Sequence, residues 1–170
     1  MSRSQKPRKA YKRKQVQTDA VMFLMNGDEP LDASLRMTIL TTVHASAAGL
    51  AHGSCDKESW NILVNALNIA LVLAEDAGNN EIGLEVIYAG QNAMIAVAER
   101  YHRAERLVFA GDELQSLNAG IALFENMVET VTKRQYTRAA GETVRRKNAG
   151  DVVRIKRGVE TKRFELREAA

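Results

Sequence analysis

The chain of 170 residues is 45% hydrophobic, 26% charged and 5% aromatic, with two prolines, which fits one ordinary globular domain and excludes a collagen-like or wholly disordered chain. Its one cysteine, Cys55, cannot form an internal disulfide, so a reducing compartment is expected and the cytoplasm is the expected location. The net charge of +3 hides a division by sign: seven basic residues and no acid precede Gln15, five basic residues face sixteen acids from Gln15 to Thr132, and twelve face five from Lys133 onward.

In chain order, residues 1–17 read as a basic flexible arm, because a segment this charged and this poor in branched aliphatics cannot offset its own ordering entropy. No secretory leader is expected, since the apolar stretch Val21 to Met25 is too short for one. Thr18 and Asp19 can cap a short helical turn ending at Asn26 and Gly27, and Pro30 marks a linker. The spacing of Leu35, Ile39 or Leu40, Val43, Ala47 and Leu50 predicts a first long helix from about Ala33 to Leu50, started by Asp32.

Ser54, Cys55 and Asp56 open a second helix to about Asp76. Its apolar density predicts a position surrounded by other helices. Asn61, Asn65 and Asn68 form its polar stripe and are expected to face solvent, an interhelical hydrogen-bond ladder being the alternative. The apolar run Ile62 to Ala74 is far shorter than the roughly 20 residues of a membrane span, so no membrane partner is expected. A third helix is expected from Glu81 to about Arg106, with Ile82, Val86, Tyr88 or Ala89, Ala93, Ile95 or Ala96 and Val97 facing inward.

A fourth helix, led by Asp112 and Glu113, carries the cleanest period: Leu114, Leu117, Ile121, Phe124, Val128 and Val131. That row is either a bundle face or an oligomer seam, and it makes a homodimer one expected assembly. The pattern predicts that this helix continues through Tyr136 and Val144 as a basic extension until Asn148, Ala149 and Gly150 stop it. The final segment, Asp151 to Arg167, reads as a hairpin or a partly ordered tail, with Phe164 a candidate anchor. The fold class is therefore all-α: an acidic bundle of about four helices over residues 18–132, between the basic arm and a basic helix and tail over 133–170.

Catalytic groups are few. Glu99 and His102 have the spacing of one half of a di-metal bundle site, but no second such motif follows, and His52 with Cys55 is too small a set for a closed zinc site. No phosphate-binding glycine loop, metalloprotease helix or nucleophile elbow occurs. No cofactor and no enzymatic activity are expected.

Basic residues with interleaved aromatics suit phosphate contact and base stacking. The candidate nucleic-acid-binding residues are Lys9, Lys12, Arg13 and Lys14 of the arm and Arg134, Arg138, Arg145, Arg146 and Lys147 of the basic helix. Tyr11 and Tyr136 are candidate stacking groups, Tyr136 being an alternative member of the core face.

The order of parts, with Arg8, Lys9, Tyr11, Lys12, Arg13 and Lys14 at the start, a linker at Pro30, Ala89-Gly90-Gln91 in the third helix and then Phe109-x-Gly111-Asp112-Glu113-Leu114, resembles uncharacterised small helical proteins carried by bacterial phages and plasmids. The resemblance implies the context of a mobile element, whose accessory proteins meet nucleic acid or nucleoprotein. The expected function is a non-enzymatic accessory binding protein that engages nucleic acid or a nucleoprotein complex through its basic ends. Two rivals stand beside it: a protein-directed inhibitor of a host defence complex, working through the acidic body, and a structural virion subunit.

Overall fold

The computed structural model describes residues 27–53, 56–78, 81–105, 107–153 and 164. The arm over 1–17, with Lys9, Tyr11, Lys12, Arg13 and Lys14, the turn expected over 18–25, Cys55 and the hairpin expected beyond Asp151 fall outside the described residues, wholly or in large part. Within them the protein is all-α, with five helices: α1 (Ala33–Ala51), α2 (Lys57–Asp76), α3 (Glu81–Ala104), α4 (Gly111–Thr130) and α5 (Lys133–Ala149). None of these helices is long and apolar enough to cross a membrane.

The helix ends follow from local chemistry. Asp56 starts α2 by accepting the Ser59 amide at 2.9 Å, which satisfies one of the amides that a first helical turn leaves free and lowers the carboxyl pKa. Glu113 accepts the Ala110 amide at 2.8 Å at the start of α4. Gly150, left-handed at φ 80°, ends α5, and the amides of Gly150 and Asp151 return to the carbonyls of Lys147 and Arg146.

α2 is the hub and packs against all four other helices, while α3 and α4 form the most extensive pair. This is the surrounded position that its apolar density predicts. Leu63, Ala66, Leu67 and Ala70 of α2 face the main core, and Val72 and Leu73 turn toward Ala139 of α5. α3 and α4 cross beside Leu67, where both contribute glycine: a Cβ built on Gly120 would lie 2.8 Å from Leu67 Cδ2 and 3.9 Å from the Gly90 Cα. Two missing side chains thus let three helices meet around one leucine.

Two expectations are corrected and one open alternative is decided. The helix that carries the heptad period does not run on into the basic segment. Val131 and Thr132 are extended, and α5 begins anew with a reciprocal cap: Thr132 Oγ1 accepts the Gln135 amide at 3.2 Å and Gln135 Oε1 accepts the Thr132 amide at 2.8 Å. Pro30 bridges to Thr132, and the amides of Lys133 and Arg134 donate to the carbonyls of Glu29 and Gly27 at 2.9 and 2.8 Å. The linker before α1 therefore supplies acceptors that an unbroken helix would have supplied from within.

Second, the row Leu114, Leu117, Ile121, Phe124, Val128 and Val131 is spent inside the chain. Leu117, Ile121, Phe124 and Val128 are buried in its own core, and Leu114 and Val131 are half-buried. A face already covered by its own bundle offers no seam to a second copy.

Third, one residue of each of two expected inward faces lies outside. Leu35 of α1 and Ile82 of α3 are exposed, whereas Val43, Ala47 and Leu50 of α1 and Ala93, Ile95 and Val97 of α3 are buried as expected, and α3 also buries Leu84, Ile87, Gly90, Gln91 and Met94. α3 has apolar residues on more than one side, so its period leaves the buried side open. The close crossing at Gly90 selects it.

Candidate functional site

α5 carries the candidate basic residues that lie among the described residues. Arg134, Arg138 and Arg145 are spaced four and seven apart, which at 3.6 residues per turn places them within about 40° of one another on the helix. Their side chains are 50%, 63% and 71% exposed, so the three form one open cationic face. Arg146 and Lys147 point elsewhere around the helix, Arg146 being half-buried and Lys147 exposed.

Each arginine has an acidic partner. Arg134 meets Asp28 at 3.4 Å, Arg138 meets Asp76, and Arg145 holds Glu142 by two bonds of 2.6 Å. Arg146 reaches across to Glu75 at 2.5 Å and also bonds Glu142 at 2.9 Å, joining α5 to the end of α2. Its pKa is raised, first by Glu75 and then by Glu142. The two arginines hold the Glu142 carboxyl down at about 2, the Arg145 hydrogen bond being the larger cause. Lys133 lies 3.2 Å from Asp32 and 3.6 Å from Glu29, and its pKa is raised chiefly by the Asp32 hydrogen bond.

Part of the sign division along the chain is therefore structural. The basic α5 docks on an acidic body, and it brings positive charge to the carboxyl end of α2, where Glu75 and Asp76 oppose the helix dipole. Tyr136 packs against the core, and burial raises its pKa. Its ring is accordingly not on the face formed by the three arginines. The pairs at Arg134, Arg138 and Arg145 are solvent-exposed and of the kind that contributes little net stability, so phosphate oxygens can compete for them.

A second feature is a cavity of about 550 Å3 between α2, α3 and α5. The asparagine stripe lines it: Asn61 and Asn65 are exposed as expected, but Asn68 is half-buried and accepts a hydrogen bond of 2.9 Å from Gln91 Nε2. Gln91 is only 5% exposed, and its Oε1 has no hydrogen-bond partner among the described residues. Trp60, whose indole N–H donates to the Met94 carbonyl at 3.3 Å, forms part of the wall, and Phe164 forms another. Phe164 stacks on Tyr88 with ring centres 5.6 Å apart, which fits its reading as an anchor for the terminal segment.

Gln91 and its neighbour Asn92 were not singled out as site residues by the sequence. The signal was two adjacent amides interrupting an otherwise apolar stretch of α3, since such groups need partners wherever they are buried. His102 of the Glu99-His102 spacing is exposed, and no group of three or more His, Cys, Asp or Glu is placed to hold a metal among the described residues. Comparison of the chain with models of protein families, with curated proteins and with solved structures finds no match.

Proposed function

We propose that this chain is a non-enzymatic binding protein that engages nucleic acid through its basic segments, with α5 as a helical part of the contact. The observation that carries the reading is the shared, open face of Arg134, Arg138 and Arg145. Exposed guanidinium groups in a row can exchange carboxylate partners for phosphates, and each exchange releases counterions from the polymer. Lys9, Lys12, Arg13 and Lys14 add a second run of positive charge in sequence, with no acid before Gln15. The rival reading is an inhibitor acting through its acidic body, whose Asp28, Glu29, Asp32, Glu75 and Asp76 meet α5 in the same ion pairs.

The test is fluorescence anisotropy with labelled single-stranded DNA, duplex DNA and RNA over a salt series. It compares the full chain, a chain lacking Ser2 to Lys14, and the combined variant Arg134→Gln, Arg138→Gln, Arg145→Gln. Three lost phosphate contacts reduce the salt slope by about two to three units in the combined variant. Absence of binding to all three polymers at low salt, or an unchanged slope in both altered chains, overturns the proposal.

A further inference from the structure

Resting on the reading of α5 as a phosphate-binding helix, we propose that its partner is duplex DNA and that the sugar–phosphate backbone of one strand crosses α5 at Gly141, between Arg138 and Arg145.

The arginine face of α5 points away from the body. Ala139, two positions before Gly141, is buried, and Thr143, two positions after it, is half-buried. Each lies about 160° around the helix from Gly141, while Arg134, Arg138 and Arg145 lie within about 60° of it. Glu142, the partner of Arg145, is about 100° away from Gly141, to the side of this face. α2 is the helix that α5 packs against, so the outward side of α5 is open to a partner as large as a polymer.

Gly141 itself has no explanation inside the fold. Gly90 and Gly120 stand where helices cross, and Gly150 has the left-handed backbone of a helix end. A Cβ built on Gly141 meets nothing within 4 Å, and its φ is not positive. Glycine is the least favourable residue after proline in a helix interior, so this position weakens α5 with no packing to compensate. What it provides is bare backbone, with Arg138 about one turn before it and Arg145 about one turn after it, about 10 Å apart along the axis. Glycine is the residue that lets a ligand approach a chain this closely. The sugar–phosphate ridge of one strand is seated in that gap, and the guanidinium group on either side reaches a phosphate.

The chemistry of the face selects a duplex. Tyr136, the aromatic residue of α5, packs against the core, so the face has no ring on which an unpaired base could stack. Its contacts are to phosphates, and a duplex carries about twice the charge of a single strand per unit length. Beyond the crossing, α5 overhangs the major groove. In B-form DNA that groove is about 12 Å wide and admits a helix about 10 to 12 Å across, whereas the A-form groove of duplex RNA is narrow. Phosphate contacts position the protein and carry no sequence preference.

The full chain is compared with Gly141→Ala, Gly141→Gln and the combined α5 arginine variant by fluorescence anisotropy over a salt series. The probes are two DNA duplexes of unrelated sequence, a single strand of one of them, and duplex RNA. Both Gly141 variants are at least as stable as the parent in urea unfolding, since alanine and glutamine favour a helix. Gly141→Gln nevertheless weakens both DNA duplexes alike, about tenfold, and Gly141→Ala does so by a smaller factor. The salt slope falls by about one unit for each arginine lifted off its phosphate. Affinities for the single strand and for duplex RNA change little.

If the parent binds no polymer, or the combined arginine variant binds every polymer as the parent does, the phosphate-binding reading of α5 fails and this inference with it. If the arginine variant loses duplex DNA while Gly141→Gln retains it, the arginines act without a close approach at Gly141, and this inference alone is overturned. Equal weakening of the single strand or of duplex RNA by Gly141→Gln overturns the choice of duplex DNA. Unequal factors on the two DNA duplexes overturn a contact confined to the backbone.

Discussion

The carboxamide of Asn92 grips the backbone of Phe164, 72 positions along the chain, by both of its hydrogen-bonding atoms. The Phe164 amide donates to Asn92 Oδ1 at 2.8 Å, and Asn92 Nδ2 donates to the Phe164 carbonyl at 2.9 Å. A side-chain amide thus does for one backbone position what a neighbouring strand would do, and the stacked ring of Tyr88 holds the side chain at the same time. Asn92→Leu removes both bonds, each with a net contribution of about 1 kcal/mol. The Phe164 amide then exchanges its hydrogen at least tenfold faster, while the amides in the middle of α2 and α4 keep their protection. Amide exchange followed by NMR checks this, and an unchanged Phe164 rate rejects the clasp.

Two glycines of the helices respond to alanine or valine in opposite directions. Gly120 sits against buried Leu67, where a Cβ meets Cδ2 at 2.8 Å, whereas a Cβ on Gly141 of α5 meets nothing within 4 Å. Gly141→Ala gains helix propensity with no steric cost and stabilises the fold by about 0.5 to 1 kcal/mol. Gly120→Val forces Leu67 or the α3–α4 crossing apart and destabilises by about 1 to 3 kcal/mol. Urea unfolding of both variants reads the contrast through the midpoint at unchanged slope.

The parts of this fold that can be read along the chain are the ones decided within a few residues. Asp56 and Gly150 mark helix ends in the sequence and stand at helix ends in the structure, because capping is local chemistry, whereas Asp32 stands at the start of α1 without a side-chain capping bond and pairs with Lys133 instead. The period of Leu117, Ile121, Phe124 and Val128 identifies an apolar face but does not name what covers it, and the cover is the chain's own core. The stop between α4 and α5 was also present, in Thr132 and Gln135 at capping-box spacing, yet a tyrosine and a valine further on continued the apolar pattern and masked it. Gln91 with Asn68 and Asn92 with Phe164 are pairs made across 23 and 72 positions. No local pattern encodes such partners, so the cavity that they border is a tertiary feature.

The cap between α4 and α5 gives a direct test of why the helix breaks there. Thr132→Ala removes the side-chain acceptor for the Gln135 amide and leaves the bridge to Pro30 intact. The expected loss is about 1 kcal/mol, and Thr132→Ser retains most of the stability because its hydroxyl accepts the same bond. Equal stability of the alanine and serine variants in urea unfolding shows that the linker carbonyls of Gly27 and Glu29 hold the start of α5 without the threonine.

Glu142 couples the docking of α5 to acid. Its folded pKa of about 2 lies below the ordinary value of 4.5 because Arg145 and Arg146 both bond its carboxylate. A depressed folded value means that the unfolded chain binds more protons in this interval, so stability rises with pH across it. The contribution is complete above pH 4.5 and is lost as pH falls toward 2. Losing it also frees Arg146, whose other partner, Glu75, ties α5 to α2. Glu142→Gln carries no titrating proton there, so its stability changes less between these limits than that of the parent chain. Thermal unfolding followed by circular dichroism at several pH values in this window checks the difference, and parallel curves for the two proteins would remove Glu142 from the acid response.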